Sequence, residues 1–164
     1  MQTKTASSRM FSLVVLYDMH TSYFLRALDA ISDQDAHNRL NTKANHIAWL
    51  TGSLVQQRFE IAQSLGYNGK QAADELFRDG RGIQDGLTYP PLSQFISEWN
   101  LISPDLRNLL INVTDEKLNS PFEMPGMEMS FYDLITFIIY REANCIGQIA
   151  LWRRLMAYPA LKYD

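Results

Sequence analysis

Cysteine is almost missing from this chain: Cys145 is the only one in 164 residues. One thiol closes no internal disulfide, which excludes the small disulfide scaffolds and leads us to expect a reducing, cytoplasmic setting. Histidine is nearly as scarce. Of the three, His20 and His37 have no partner at the spacing with which one helix face holds a metal, and both read as structural or exposed. Positive charge is in deficit, 15 Lys and Arg against 18 Asp and Glu for a net charge of −3, so no general electrostatic footprint for nucleic acid or an anionic membrane is present. Long apolar runs are also wanting. None reaches the roughly 18 residues of a membrane helix, and the N-terminal run breaks at Tyr17-Asp18, too early for a secretory leader. There are no internal repeats and no low-complexity tracts. What remains is an ordinary globular composition, 46% hydrophobic and 20% charged. Its length suits one domain over residues 1–164, which can bury a core without metals or disulfides.

Apolar residues recur at helical spacing in four long segments. The first, about 7–31, aligns Met10, Val14, Tyr17, Thr21, Phe24, Leu28 and Ile31. Asp33-Gln34-Asp35 is expected to stop it and cap a second helix, about 34–65, with Leu40, Ala44, Ile47, Thr51, Leu54, Arg58, Ile61 and Leu65 on one face. Gly66 and Asn68-Gly69 should end that helix in a left-handed C-cap. Residues 66–90 read as a loop with a short helix at Gln71–Phe77. A third helix then carries Phe95, Trp99, Ile102, Leu106, Leu109 and Val113, with a kink or a break at Pro104, where Ser103 is a candidate N-cap. Residues 118–129 read as a loop with a small hairpin around Pro125-Gly126. Ser130 and Asp133 have the form of a capping box for a fourth helix, about 130–157, whose stripe is Leu134, Ile138, Arg141, Cys145, Gln148, Trp152 and Leu155. The fold class is therefore all-α, an up-down four-helix bundle, with the connection of about 25 residues between the second and third helices marking where a crossover would enter.

The run Arg141-Glu142-Ala143-Asn144-Cys145-Ile146-Gly147-Gln148-Ile149, followed by Leu151-Trp152-Arg153-Arg154-Leu155, resembles the signature of the DinB-like (DNA-damage-inducible) four-helix-bundle superfamily, typically His-Glu-x-x-His-hydrophobic-Gly-Gln-hydrophobic with a following Arg-Arg. Asn45-His46-Ile47-Ala48-Trp49 and Gly52-Ser53-Leu54 on the second helix are similar to that family's Asn-x-Ile-x-Trp-x-x-Gly-His-hydrophobic segment, and the tail Tyr158–Tyr163 fits the way many members end. The resemblance implies a site for a divalent metal such as zinc or nickel, held by one histidine of the second helix and two of the fourth. It also implies a homodimer paired through helix faces, and relatives that are thiol-dependent transferases and isomerases. At the three ligand positions this chain has Ser53, Arg141 and Cys145. A guanidinium keeps its proton and ligates nothing, its charge repels a cation, and serine is a poor ligand for zinc or nickel. No cofactor is therefore expected.

Three functional readings follow. In the first, the cavity between helices two and four is kept and binds a small anionic ligand at Arg141. In the second, an altered enzyme of the thiol-transferase or hydrolase type is built from Cys145, His46 and Ser53, with His46 reaching the same cavity from two turns away. The third is a homodimeric interaction module. Arg141 needs a carboxylate, an anion or carbonyls if it is buried, with Asp18 and Glu60 as in-chain candidates, or else it reaches out to water. Cys145 is a small apolar filler, a thiol activated by Arg141 one turn away, or a replacement ligand. Glu142 points about 100° away from Arg141, toward an interface or a neighbouring helix. Gly147 would let a helix approach closely, Met124, Met127 and Met129 read as packing, and Arg153-Arg154 as a basic pair favourable to the helix dipole.

Overall fold

The computed structural model describes residues 4–124 and 126–164, and it is mostly helical. Four long helices carry the core: α1 (Phe11–Leu28), α3 (Ile47–Ser64), α5 (Leu92–Asn112) and α7 (Phe131–Leu155). Three short ones, α2 (Asp33–Ala36), α4 (Asp74–Phe77) and α6 (Asp115–Asn119), and a hairpin of β1 (Pro121–Met124) with β2 (Met127–Ser130) fill the connections. The side-chain contacts give the helix directions. Ala6 N–H donates to Ile111 O at 2.8 Å, and Trp99 Nε1 donates to Thr21 O at 3.3 Å, so α1 and α5 are antiparallel. Arg9 lies over the Tyr132 ring and Arg153 reaches Ala27 O, so α1 and α7 run parallel. Trp152 Nε1 donates to Asn45 O, while Gln57 reaches Ile138 O, making α3 and α7 antiparallel. Residues 65–91 return the chain along the molecule, so α3 and α5 run parallel, as Gly52 near Phe95 and Arg58 on Ser103 show. The simple up-down order expected from short links is thereby replaced by the crossover order.

Local sequence explains most of the boundaries. Ser130 and Asp133 form the expected capping box, Asp133 N–H donating to Ser130 Oγ at 3.1 Å and Ser130 N–H to Asp133 Oδ2 at 3.0 Å. Gly66, at φ +97°, ends α3, with Tyr67 N–H donating to Ala62 O at 2.9 Å, the expected left-handed cap. The hairpin forms as anticipated, pairing Phe122 with Met129; Pro125 lies outside the described residues. Pro104 does not break α5. Ser103 sits within that helix, its hydroxyl donating to Trp99 O, rather than capping a new one.

The expected second helix needs correction. It is two pieces, with residues 37–46 between them not helical. Leu40 and Asn41 take positive φ, and Leu40 and Ala44, assigned to the apolar stripe, are exposed. Short polar side chains win here over helical backbone bonding: Asn38 Oδ1 accepts from Leu40 N–H at 2.8 Å and Thr42 Oγ1 from Ala44 N–H at 3.2 Å. Ser32, not the Asp33–Asp35 run, is the N-cap of α2. From Ile47 to Phe59 α3 is buried on every side. Gly52 makes this compatible with packing, because a Cβ there would meet the rings of Phe77 and Phe95.

The phase of α7 also differs from expectation. Its buried residues are Phe131, Leu134, Ile135, Ile139, Glu142, Cys145, Ile146, Ile149, Trp152 and Arg153. Gln148 and Leu155 are exposed, and Arg141 lies at the edge of the buried face. By length and composition α7 is also one described helix apolar enough to cross a bilayer, contrary to the reading of the bare sequence, yet it packs along α1 and α3 and holds both Glu142 and Arg153 buried.

Candidate functional site

Two arginines define two polar regions. The first lies where all four long helices meet. Arg58 of α3 is fully buried, and its Nε and Nη2 donate to Glu142 Oε1 and Oε2 at 2.7 and 3.0 Å. Its Nη1 donates to Thr21 Oγ1 of α1 at 2.9 Å and Ser103 Oγ of α5 at 2.7 Å. The guanidinium carbon stands 3.4 Å from the Trp99 ring centre and 4.0 Å from that of Tyr17. His20 Nδ1 lies 3.3 Å from Glu142 Oε2. Burial alone would raise the Glu142 carboxyl, but the Arg58 charge and the His20 and Arg58 hydrogen bonds outweigh it and hold the group below the usual carboxylate range. Burial likewise pushes the Tyr17 hydroxyl up, Arg58 opposing it. This cluster is a closed ion pair in which each Arg58 nitrogen and both Glu142 oxygens are hydrogen-bonded. It offers a ligand nothing.

The second region is a cavity of about 420 Å³ between α3 and α7. Ser53, Gln56, Gln57, Glu60, Ile61 and Ser64 line it from α3, and Leu134, Phe137, Ile138 and Arg141 from α7. Phe77 and Gly80 form one side, and Phe122, Met127 and Met129 of the hairpin close one end. Its volume falls within the range of small-molecule sites, about 300–1,000 Å³. Arg141 reaches across the helix pair, Nη1 donating to Gln57 Oε1 and Nη2 to Ser53 Oγ, each at 2.6 Å. Both acceptors are neutral. Among the described residues no carboxylate forms an ion pair with Arg141: the four ion pairs are His20–Glu142, Arg39–Asp85, Arg58–Glu142 and Arg107–Asp18. Asp18, one expected partner, is thus engaged by Arg107 at 2.7 Å. Glu60, the other, accepts instead from Gln56 Nε2 at 2.9 Å. Partial burial pushes the Glu60 carboxyl up, with the Gln56 bond and the more distant Arg141 charge opposing and Asp74 reinforcing.

The sequence-derived candidates therefore divide. Ser53 and Arg141 meet, as their alignment on facing helices implied. Cys145 is buried one turn along α7 and does not line the cavity; burial pushes its thiol up, Arg141 partly counteracts this, and Glu142 adds to it. His46 is not on the helix body but is the N-cap of α3. Its Nδ1 accepts from Trp49 N–H at 3.0 Å, and its ring packs near His37 and Tyr89. Burial first, then His37 and Arg39, push His46 down to about 4. His20 belongs to the core cluster, and His37 bridges Asp33 O and Tyr89 O. A Cβ at Gly147 would meet nothing within 4 Å, so the expected close helix approach is not made inside the chain. Arg153 and Arg154 lie in the last turn of α7, as expected of a pair favourable to the helix dipole, and Arg153 is in addition buried, donating to Ala27 O at 3.0 Å, Asp29 O at 2.6 Å and Pro159 O at 3.0 Å. It thus satisfies carbonyls at the end of α1 and fastens the C-terminal tail.

Three ligand positions implied by the family likeness carry a set that does not fit a divalent metal. Arg141 donates to Ser53, so a permanent positive charge that cannot ligate lies against that oxygen and would repel a cation there. No three His, Cys, Asp or Glu side chains among the described residues gather at a metal-binding distance. What bare sequence reading missed was Glu142 as the partner of Arg58. The signal was there in part, since Arg58 falls on the inward stripe of the second helix and a buried guanidinium needs a carboxylate, an anion or several carbonyls. No protein-family model matches the chain, and no curated protein matches it at a significant level.

Proposed function

We propose that the chain is a DinB-like four-helix bundle whose inter-helix site has exchanged a metal for the fixed charge of Arg141, and that it binds a small anionic ligand there. The observation carrying this reading is a half-buried guanidinium at the wall of a cavity, bonded to Ser53 and Gln57, both uncharged. Those acceptors hold the group in place but give it no bonded carboxylate, the nearest acid of the cavity, Glu60, standing off, and they leave part of its N–H set free. A carboxylate or phosphate arriving in the cavity completes charge-assisted hydrogen bonds of the strong kind. The helix order, the antiparallel α3 and α7 and the juxtaposition of Ser53 with Arg141 support the family assignment. Isothermal titration with a panel of monocarboxylates, dicarboxylates and phosphomonoesters tests it. Wild-type binding that Arg141→Met removes is the expected result, and equal heats from both proteins sink the reading.

A second reading, a homodimer paired through helix faces, has its own observation. Phe11, Val15, Leu16 and Met19 of α1 and Tyr140, Leu151 and Leu155 of the parallel α7 are exposed, and Gly147 between them opens onto free space. Sedimentation equilibrium distinguishes one chain mass from two.

A further inference from the structure

The α3–α7 cavity has an apolar wall along α7 and the hairpin that narrows its ligand class. We infer that its ligand is a monoanionic amphiphile, head at Arg141 and unbranched apolar body lying along the two helices beneath the hairpin. The inference rests on the proposed role of Arg141 and deepens it. The polar end is built from Ser53, Gln56, Gln57 and Arg141. The Gln57 contact to Ile138 O at 3.3 Å sets the register of the two helices. Leu134 then lies two turns from Arg141, about 10 Å along the axis at about 1.5 Å per residue, the reach of a medium-length alkyl chain.

Toward the hairpin the α7 side of the cavity is apolar, while α3 borders it with Glu60 and Ser64 beside Ile61. Ile61, Leu134, Phe137 and Ile138 line the helices, and the hairpin presents Phe122, Met127 and Met129. Phe122 pairs with Met129, and Met127 stands two residues from Met129, so all three share one face of the hairpin. Methionines suit a flexible alkyl chain, because their unbranched thioethers re-pack around it. Met127 and Phe137 are each 53% exposed, apolar surface that an alkyl body would cover.

The opposing charges set the valence. Glu60 lines the same cavity one turn from Gln57, and Asp74 stands behind it, accepting from Gln56 Nε2 at 2.8 Å. These carboxylates disfavour a second negative group along the body of the ligand, so a monocarboxylate is accepted and a dicarboxylate rejected.

The probes are butanoate, octanoate, octanedioate and octan-1-ol, titrated calorimetrically into wild type, Arg141→Gln, Glu60→Gln and Met127→Glu, each checked for folding by circular dichroism. Octanoate should bind at least about tenfold more tightly than butanoate, since added methylenes leave water. It should also outbind octanedioate. Arg141→Gln should weaken octanoate by at least about tenfold while leaving octan-1-ol unchanged, and Glu60→Gln should strengthen octanoate, through the charges they remove. Met127→Glu should weaken octanoate more than butanoate. If butanoate and octanoate bind alike and Arg141→Gln abolishes both, the amphiphile is overturned and the anion reading stands. If octanoate and octan-1-ol bind alike and Arg141→Gln alters neither, the Arg141 reading fails and this inference with it. If no alkyl carboxylate binds the folded wild type, the inference is likewise overturned.

Discussion

Arg58 and Arg141 sit on neighbouring helices of one core, and their surroundings are opposite. Arg58 is sealed from water, clamped by both oxygens of Glu142, bonded to two hydroxyls and placed against two aromatic rings. Arg141 is half-buried, bonded to an amide and a hydroxyl, and open to a cavity. A buried charge must be matched by a counter-charge or, as at Arg153, by several carbonyls, and once matched it has little left to offer. A charge at a cavity wall can leave its counter-charge to a visitor. The difference teaches that the partners of an arginine, and not its burial alone, separate a saturated charge from one with bonding capacity left.

Breaking the closed pair gives the largest effect. Glu142→Gln leaves the Arg58 guanidinium buried without its carboxylate and should cost about 3–5 kcal/mol in urea unfolding. The double variant Arg58→Met with Glu142→Leu should recover most of that loss, because both charges leave together. A Glu142→Gln protein within about 1 kcal/mol of wild type would show that the pair is not the closed unit described above.

Acid probes the same pair without mutation. The Glu142 carboxyl is held below its ordinary range, so the stability it confers is present above that range and is lost as pH falls through the lowered value. His46 contributes separately. Its folded value of about 4 against an ordinary 6.5 means that stability falls as pH drops across that window, where the unfolded chain binds the proton first. His46→Asn keeps an N-cap acceptor and should flatten the stability profile between those two values while leaving the more acidic fall in place. Urea midpoints at successive pH values read both.

Arg141→Met sharpens the contrast from the other side. Its hydrogen bonds run to neutral groups at a solvent-reached wall, so unfolding stability should change by no more than about 1 kcal/mol, while anion binding is lost. A destabilisation as large as that of Glu142→Gln would make Arg141 a second structural charge. The smallest effect is expected at Cys145. Burial first and Glu142 also push its thiol up, against the opposing Arg141 charge, so a thiol reagent should modify native protein far more slowly than urea-unfolded protein. Equal rates would reinstate the reactive-cysteine reading.

How much of this was legible beforehand varies with the physics involved. The C-cap at Gly66, the capping box at Ser130 and the hairpin before it depend on residues close in sequence, and each was readable. The break between Ala36 and Ile47 was not, because the apolar spacing of Leu40, Ala44 and Ile47 imitates a helix face while Asn38 and Thr42 compete for the backbone. The phase of α7 was ambiguous for a similar reason. Ile138 and Ile139, and Cys145 and Ile146, allow a stripe through Arg141 or one through Glu142. Only packing against α1 and α3 selects the second. The burial of Arg153 was not legible because its three acceptors are carbonyls of α1's end and of the tail, invisible as side-chain types.

By itself the sequence determined the mostly helical character and most helix ends, since periodicity and capping act over one or two turns; the meeting of Ser53 with Arg141 was an expectation of the family resemblance alone. Tertiary structure decided the pairing of Arg58 with Glu142, the parallel course of α3 and α5, and which arginine bonds a carboxylate and which only neutral groups at a cavity wall. Those depend on which helix faces which, and that choice is made by burying side chains 84 residues apart in the chain, a distance over which no local spacing rule speaks.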